Sequence, residues 1–173
     1  MKPEFRKRLT EQHRQALLAV CEHADFDSEA AFEIDGAILE SLPTKFNCDT
    51  LAPLTECQQL FLAAWYLDSE INNGGFHQFF CNKGPAIVRA ADRFLLANHL
   101  HEVRRLLLQS VEALPGETLP RTFAELESML VDAEDLVDRF GSLDDRYFEL
   151  QPSTDIRAAR LKLVQDRQVE FFS

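Results

Sequence analysis

Residues 68–80 read Asp-Ser-Glu-Ile-Asn-Asn-Gly-Gly-Phe-His-Gln-Phe-Phe, and this run decides the fold. Before it stands the most apolar stretch of the chain, Leu60-Phe61-Leu62-Ala63-Ala64-Trp65-Tyr66-Leu67. Good helix formers around a single Trp predict a buried helix, from about residue 54 to about residue 72. Asn72-Asn73-Gly74-Gly75 should stop that helix, because Asn and Gly enter the left-handed region cheaply; Gly74 is the natural C-cap with positive φ. Asn73 is placed to cap the next segment, whose Phe76, Phe79 and Phe80 recur at helical spacing toward the same core. Two helices with almost no loop between them make a sharp corner at Asn72–Gly75. Glu70 and Gln78 are expected to hydrogen-bond backbone groups freed by the break.

Outward from the corner, every segment reads as helix. A first amphipathic helix is expected over residues 3–24, with Pro3 in its opening turn and Phe5, Leu9, Ala16, Leu17 and Val20 as its stripe. A second, over 29–41, is capped by Asp27 or Ser28. After the corner, Gly84-Pro85 starts a helix over 86–97, and another spans 100–113. Thr122 and Glu125 form a capping box for a long helix over 123–140, with Phe123, Leu126, Leu130, Ala133, Val137 and Phe140 inward and Gly141 as its stop. A short helix over 144–150 and a last one over 154–169 complete the chain. No strand alternation, repeat or low-complexity tract is present. The fold class is all-α: one compact domain over 1–173, of about seven to nine helices.

Composition bounds the function. The chain of 173 residues carries 18 basic and 29 acidic residues, a formal net charge of −11. That excess disfavours direct binding to nucleic acid or an anionic membrane and favours a basic partner. No apolar run approaches the roughly 18 residues of a membrane span, and the basic start lacks the apolar region of a signal peptide. A cytoplasmic location is expected. Cys21, Cys48, Cys57 and Cys81 lack Cys-x-x-C spacing and read as reduced thiols. A metal site of His77, Cys81 and Cys57 is the sharper alternative to an isolated His/Cys pair in a core helix. No metal and no cofactor are expected.

The acid is unevenly placed. Residues 22–70 hold eleven Asp/Glu against one basic residue, Lys45, and residues 111–149 hold eleven against three Arg. The two blocks alternate with mildly basic segments. In the second block, Glu125, Asp132 and Asp135 fall on one side of the expected 123–140 helix, beside Glu127, Glu134 and Asp138. Neighbours three or four apart on a helix stand roughly 5 to 6 Å apart at Cβ. A DNA strand carries one charge per roughly 3.4 Å of rise, and a DNA-binding protein makes about 6 to 10 phosphate contacts. Either block holds enough carboxylates for that number. The plainer reading is a solvated acidic face.

The run Glu-x-Asn-Asn-Gly-Gly-Phe-x-Gln-Phe-Phe, Glu70 to Phe80, resembles the signature of a bacterial family whose best-understood member is a DNA mimic; chain length and Trp65-Tyr66 fit as well. The resemblance implies an all-helical, non-enzymatic protein whose acidic surface occupies the DNA-binding site of a regulator. The implied partner is a basic DNA-binding protein, a helix-turn-helix transcription factor, whose repression is relieved. Asp25, Asp27, Glu29, Glu33, Asp35, Glu125, Glu127, Asp132, Glu134, Asp135 and Asp138 are the candidate phosphate-mimicking acids. Glu70, Asn73, Gly74, Gly75 and Gln78 are the structural motif.

The rival is a small-ligand-binding or enzymatic protein with a pocket around Glu70–Gln78, in which His77 or Glu70 is the general base and Asn73 and Gln78 position a substrate. Against it, the sequence has no Ser/His/Asp or Cys/His arrangement, His-Glu-x-x-His or glycine-rich nucleotide motif. An acidic adaptor unrelated to DNA is the third reading.

Overall fold

The structure is a computed structural model and describes residues 8–43, 45–131 and 135–172. These fold into α1 (Glu11–His23), α2 (Glu29–Ser41), α3 (Glu56–Asn82), α4 (Pro85–Ala97), α5 (His101–Glu112), α6 (Phe123–Val131), α7 (Leu136–Leu150) and α8 (Ser153–Asp166), closed by a 3₁₀ turn at Gln168–Glu170. Among the described residues there is no strand, so the all-α reading stands. The expected start of the first helix at Pro3, with Phe5 in its stripe, lies outside the described residues.

Local sequence explains most of the ends. Thr10 and His13 form a reciprocal capping box at α1, Ser28 accepts the Ala31 N–H at 3.2 Å to open α2, and Thr55 and Gln58 box the start of α3. Pro85 occupies the first turn of α4, where its missing N–H leaves nothing unpaired.

The central element is α3, which packs against α4, α7 and α8. Before its kink it buries Phe61, Leu62, Ala64, Leu67 and Ile71; after it, Phe76, Phe79 and Phe80. Phe80 stacks on Phe140 of α7 with ring centroids 5.6 Å apart, and Phe76 meets Tyr147 of α7 edge-on at 6.1 Å. Full burial of one such side chain stabilises by about 1.5–3 kcal/mol, so this aromatic set fixes the second half of α3 on α7. Trp65 is only half-buried, edge-on to Tyr66 at 5.7 Å.

Two expectations need correction. The corner is where expected, two helical halves of α3 meeting at the non-helical Gly74 and Gly75, but the positive φ belongs to Gly75 (φ 74°), while Gly74 is extended (φ −166°). The C-cap role assigned to Gly74 therefore moves one residue on. The long helix over 123–140 is instead two: α6 ends at Val131 and α7 runs from Leu136 straight through Gly141. The buried stripe of α7 is Leu136, Phe140, Leu143 and Tyr147, one position out of phase with the expected one, and Val137 is 61 % exposed. A Cβ at Gly141 would meet nothing. A glycine inside a helix costs about 1 kcal/mol relative to Ala, which this apolar stripe outweighs.

Candidate functional site

The kink stands on a buried ionic network. Arg160 of α8, 2 % exposed, grips Asp35 of α2 with two nitrogens, Nη2 to Oδ2 at 2.5 Å and Nε to Oδ1 at 3.1 Å. Its Nη1 lies 3.9 Å from Asp68 Oδ2 of α3. The other Asp68 oxygen accepts hydrogen bonds from Ser153 Oγ (2.7 Å), Asn72 Nδ2 (2.9 Å) and Tyr147 Oη (3.2 Å). Burial, then the neighbouring Asp68, push the Tyr147 phenol well above its ordinary range, so it remains a donor. One guanidinium thus joins α2, α3 and α8, and Asp68 adds α7. Among the described residues, no buried side-chain N or O lacks a partner.

This network removes one candidate. Asp35 was expected among the exposed phosphate-mimicking acids; it is buried at 5 % exposure and held by Arg160. Its carboxylate cannot be presented to a partner.

Beside the kink, Glu70 accepts from Asn82 Nδ2 (2.7 Å) and Gln78 Nε2 (2.8 Å) and pairs with Lys83 Nζ (3.0 Å). Burial works to raise its pKa, yet the hydrogen bonds from Asn82, Gln78 and Lys83 outweigh it and hold Glu70 below the ordinary glutamate value. Glu70 and Gln78 therefore bond to each other across the kink, not to freed backbone groups. Asn73 is exposed, and the N–H of Phe76 is capped from another helix: Asp144 Oδ1 of α7 accepts it at 2.8 Å. Burial raises the Asp144 pKa, and the Phe76 N–H only partly offsets this. His77 and Cys81 lie 3.7–3.9 Å apart. Cys57 instead lies against Glu170, and burial, then that glutamate, push its thiol up to about 11. Among the described residues, no group of three His, Cys, Asp or Glu is arranged to hold a metal ion. The cavity that touches this corner, lined by Tyr66, Asn82 and Lys83 among others, is about 80 Å³, far below the several hundred typical of a small-molecule site.

The acidic surface is distributed as follows. Asp25, Glu29 and Glu33 are exposed around the α1–α2 connection and on α2. Asp27 is exposed but tethered, accepting from Thr154 Oγ1 (2.6 Å) and Arg157 Nη1 (3.2 Å) of α8. Glu125 folds back onto its own helix start, accepting the Arg121 and Thr122 N–H groups at 2.9 and 3.2 Å; these two bonds lower its pKa. Glu127 is exposed on α6. Asp135 is exposed and pairs with Arg139 at 2.8 Å, and Asp138 is exposed on α7. Asp132 and Glu134 lie outside the described residues. Glu125 is on α6 and Asp135 stands at the start of α7, so these two members of the expected row are on separate helices.

A different row takes its place. Because α7 runs through Gly141, Asp138, Asp145 and Glu149 fall seven and four residues apart, within an arc of about 40° at 100° per residue. All three are exposed and have no ion-pair partner among the described residues. The sequence held the signal, the 138/145/149 spacing, but the expected stop at Gly141 concealed it. The row ends close to where the first acidic block docks: Glu149 closes α7, and Asp27 grips Thr154 and Arg157 at the start of α8. Both blocks thus border the α7–α8 turn.

Among the described residues, fold and site define an all-helical protein with its buried polar groups paired and most of its acid outside. The chain belongs to the DMP19-like family, whose model matches residues 52–166. The match covers α3 to α8, including the Glu70–Phe80 run and all of the second acidic block; Asp25, Asp27, Glu29, Glu33 and Asp35 precede it. No curated protein and no solved structure matches the chain. Among the described residues, no helix is long and apolar enough to cross a membrane.

Proposed function

We propose that the protein is a non-enzymatic DNA mimic. It presents carboxylates in place of phosphates to the basic DNA-binding surface of a transcriptional regulator, of the helix-turn-helix kind that the family resemblance implies, and so relieves repression. The observation that carries this reading is the exposed row Asp138, Asp145, Glu149 on α7, inside the family segment and without an ion-pair partner among the described residues. At 1.5 Å per residue it spans about 16 Å. Asp25, Glu29 and Glu33 of the first block are exposed as well. The dense pairing of Glu70 with Gln78, Asn82 and Lys83 supports a structural role for the corner over a catalytic one.

Complementary fields steer encounter, so association is fast and salt-sensitive. The test is a pull-down from bacterial lysate at low salt, with D138K/D145K/E149K as control bait. The expected result is a DNA-binding protein retained by the wild type only, eluted by competing duplex DNA, and lost between about 50 and about 500 mM salt. Partners indifferent to the mutations, to DNA and to salt would overturn the reading.

A further inference from the structure

A sizeable cleft lies away from the Glu70 corner. Its volume is about 580 Å³, and its floor is apolar: Leu51, Val88, Leu107, Leu108, Val111 and Leu119. This volume falls within the range of small-molecule sites, which are mostly apolar with a few polar groups that fix orientation. The floor is drawn from the loop before α3, from α4 and α5, and from the loop after α5. Leu108 is 37 % exposed there, a large side chain with its apolar surface open to the cleft.

The charged groups of the cleft are not equivalent. Its two carboxylates are already engaged: Asp92 accepts from Arg104 Nε at 2.7 Å, and Asp49 accepts the Phe123 N–H at 2.7 Å. Its two guanidiniums, Arg89 and Arg93, stand one turn apart on α4. Arg93 makes a solvent-exposed pair with Glu56 at 3.5 Å. Arg89 has no carboxylate partner among the described residues; its two terminal nitrogens donate at 3.3 Å to the carbonyls of Pro120 and Arg121. These contacts orient the guanidinium at the rim and leave its positive charge uncompensated.

We propose that this cleft binds a small amphiphilic monocarboxylate, its apolar tail on the leucine–valine floor and its carboxylate on Arg89, with Arg93 next in reach. A guanidinium holds a carboxylate through paired, charge-assisted hydrogen bonds, and the floor supplies non-directional apolar contact. The site is independent of the acidic row on α7.

The probe is sodium decanoate below its micelle concentration, titrated into the full chain by calorimetry and two-dimensional NMR, with 1-decanol as the uncharged counterpart. The expected result is saturable one-to-one binding that shifts the signals of Val88, Leu107, Leu108 and Val111. R89Q should weaken decanoate by about tenfold or more and leave decanol unchanged. L108W, which fills the cleft, should weaken both probes. Should R89Q disturb the loop whose carbonyls it holds, R93Q carries the same comparison with a smaller expected loss. The row variant D138K/D145K/E149K should bind decanoate as the wild type does, which separates this proposal from the DNA-mimic reading. Absence of saturable binding, decanol as tight as decanoate, or unchanged affinity in both arginine variants would overturn the proposal. So would an acidic amphipathic peptide that shifts these signals where decanoate does not, since the cleft would then belong to a protein partner.

Discussion

Asp144 and Gly75 occupy one space: the carboxylate that caps the Phe76 N–H at 2.8 Å sits where a side chain on Gly75 would begin. Gly75 also has φ 74°, a region that L residues enter at a cost. Gly75→Ala should therefore strain the backbone and displace the cap together, a loss of about 2 kcal/mol or more. Gly74→Ala meets the Gln78 side chain, its amide first and its Cβ at 3.1 Å, with no positive φ to strain, and should cost about 1 kcal/mol. Urea denaturation of the two variants checks the order; equal losses would refute the assignment of the kink to Gly75.

Arg160 should be the least replaceable polar residue. Its loss strands Asp35 and Asp68 without their cation, and breaking a buried ion pair from one side costs about 3–5 kcal/mol. R160M should unfold well below the wild type, and R160K should recover little, because an ammonium cannot reproduce the two-nitrogen grip on Asp35. Thermal melts of both decide it.

The acids should divide by what holds them. D138K, D145K and E149K should each change stability by less than about 0.5 kcal/mol, and removing the like-charge pair at 145 and 149 should help slightly. D27N should cost about 1–2 kcal/mol, since the buried Arg157 guanidinium loses its carboxylate. A stability profile with Asp27 as indifferent as Asp138 would contradict the tether.

The dependence on pH carries two opposite signs. Glu70 has a lowered pKa in the fold, so its contribution is present at neutral pH and is lost as pH falls below the ordinary value of 4.5. The stability gap between wild type and E70Q should close in acid. Asp144 has a raised pKa, so the fold holds its proton longer than the unfolded chain, and ionisation as pH rises above 3.8 weakens the fold. D144N, which can still accept the Phe76 N–H, should gain on the wild type over that rise. Denaturation midpoints measured from pH 3 to 7 follow both gaps.

Much of this was legible in the residues. The apolar run 60–67, the Asn-Asn-Gly-Gly break and the Thr122/Glu125 box placed α3, its kink and the start of α6. The end of α6 was not legible, because Phe140 belongs equally to a stripe of 126, 130, 133, 137 and to one of 136, 143, 147. Only contact with Phe76, Phe80 and Asp68 selects the second. Asp35 was misread for a related reason. It shares the buried face of α2 with Ala31, Ile34 and Ile38, and the cation that draws it inward lies 125 residues away in the chain. Asp144 as a cap was invisible for the same cause, as an acid of α7 serves an N–H of α3.

The Asp35–Arg160 pair sets apart two boundaries that otherwise pass for one. The family segment begins at residue 52, whereas the counter-charge for its Arg160 is supplied from residue 35. A fragment cut at the family boundary would carry a guanidinium facing an open wound in the core, with Asp68 at 3.9 Å as its remaining anion. The unit by which relatives are recognised is thus smaller than the unit that can neutralise its own interior. α2 is best regarded as a stopper: Asp35 on it answers Arg160, as Asp27 just before it answers Arg157.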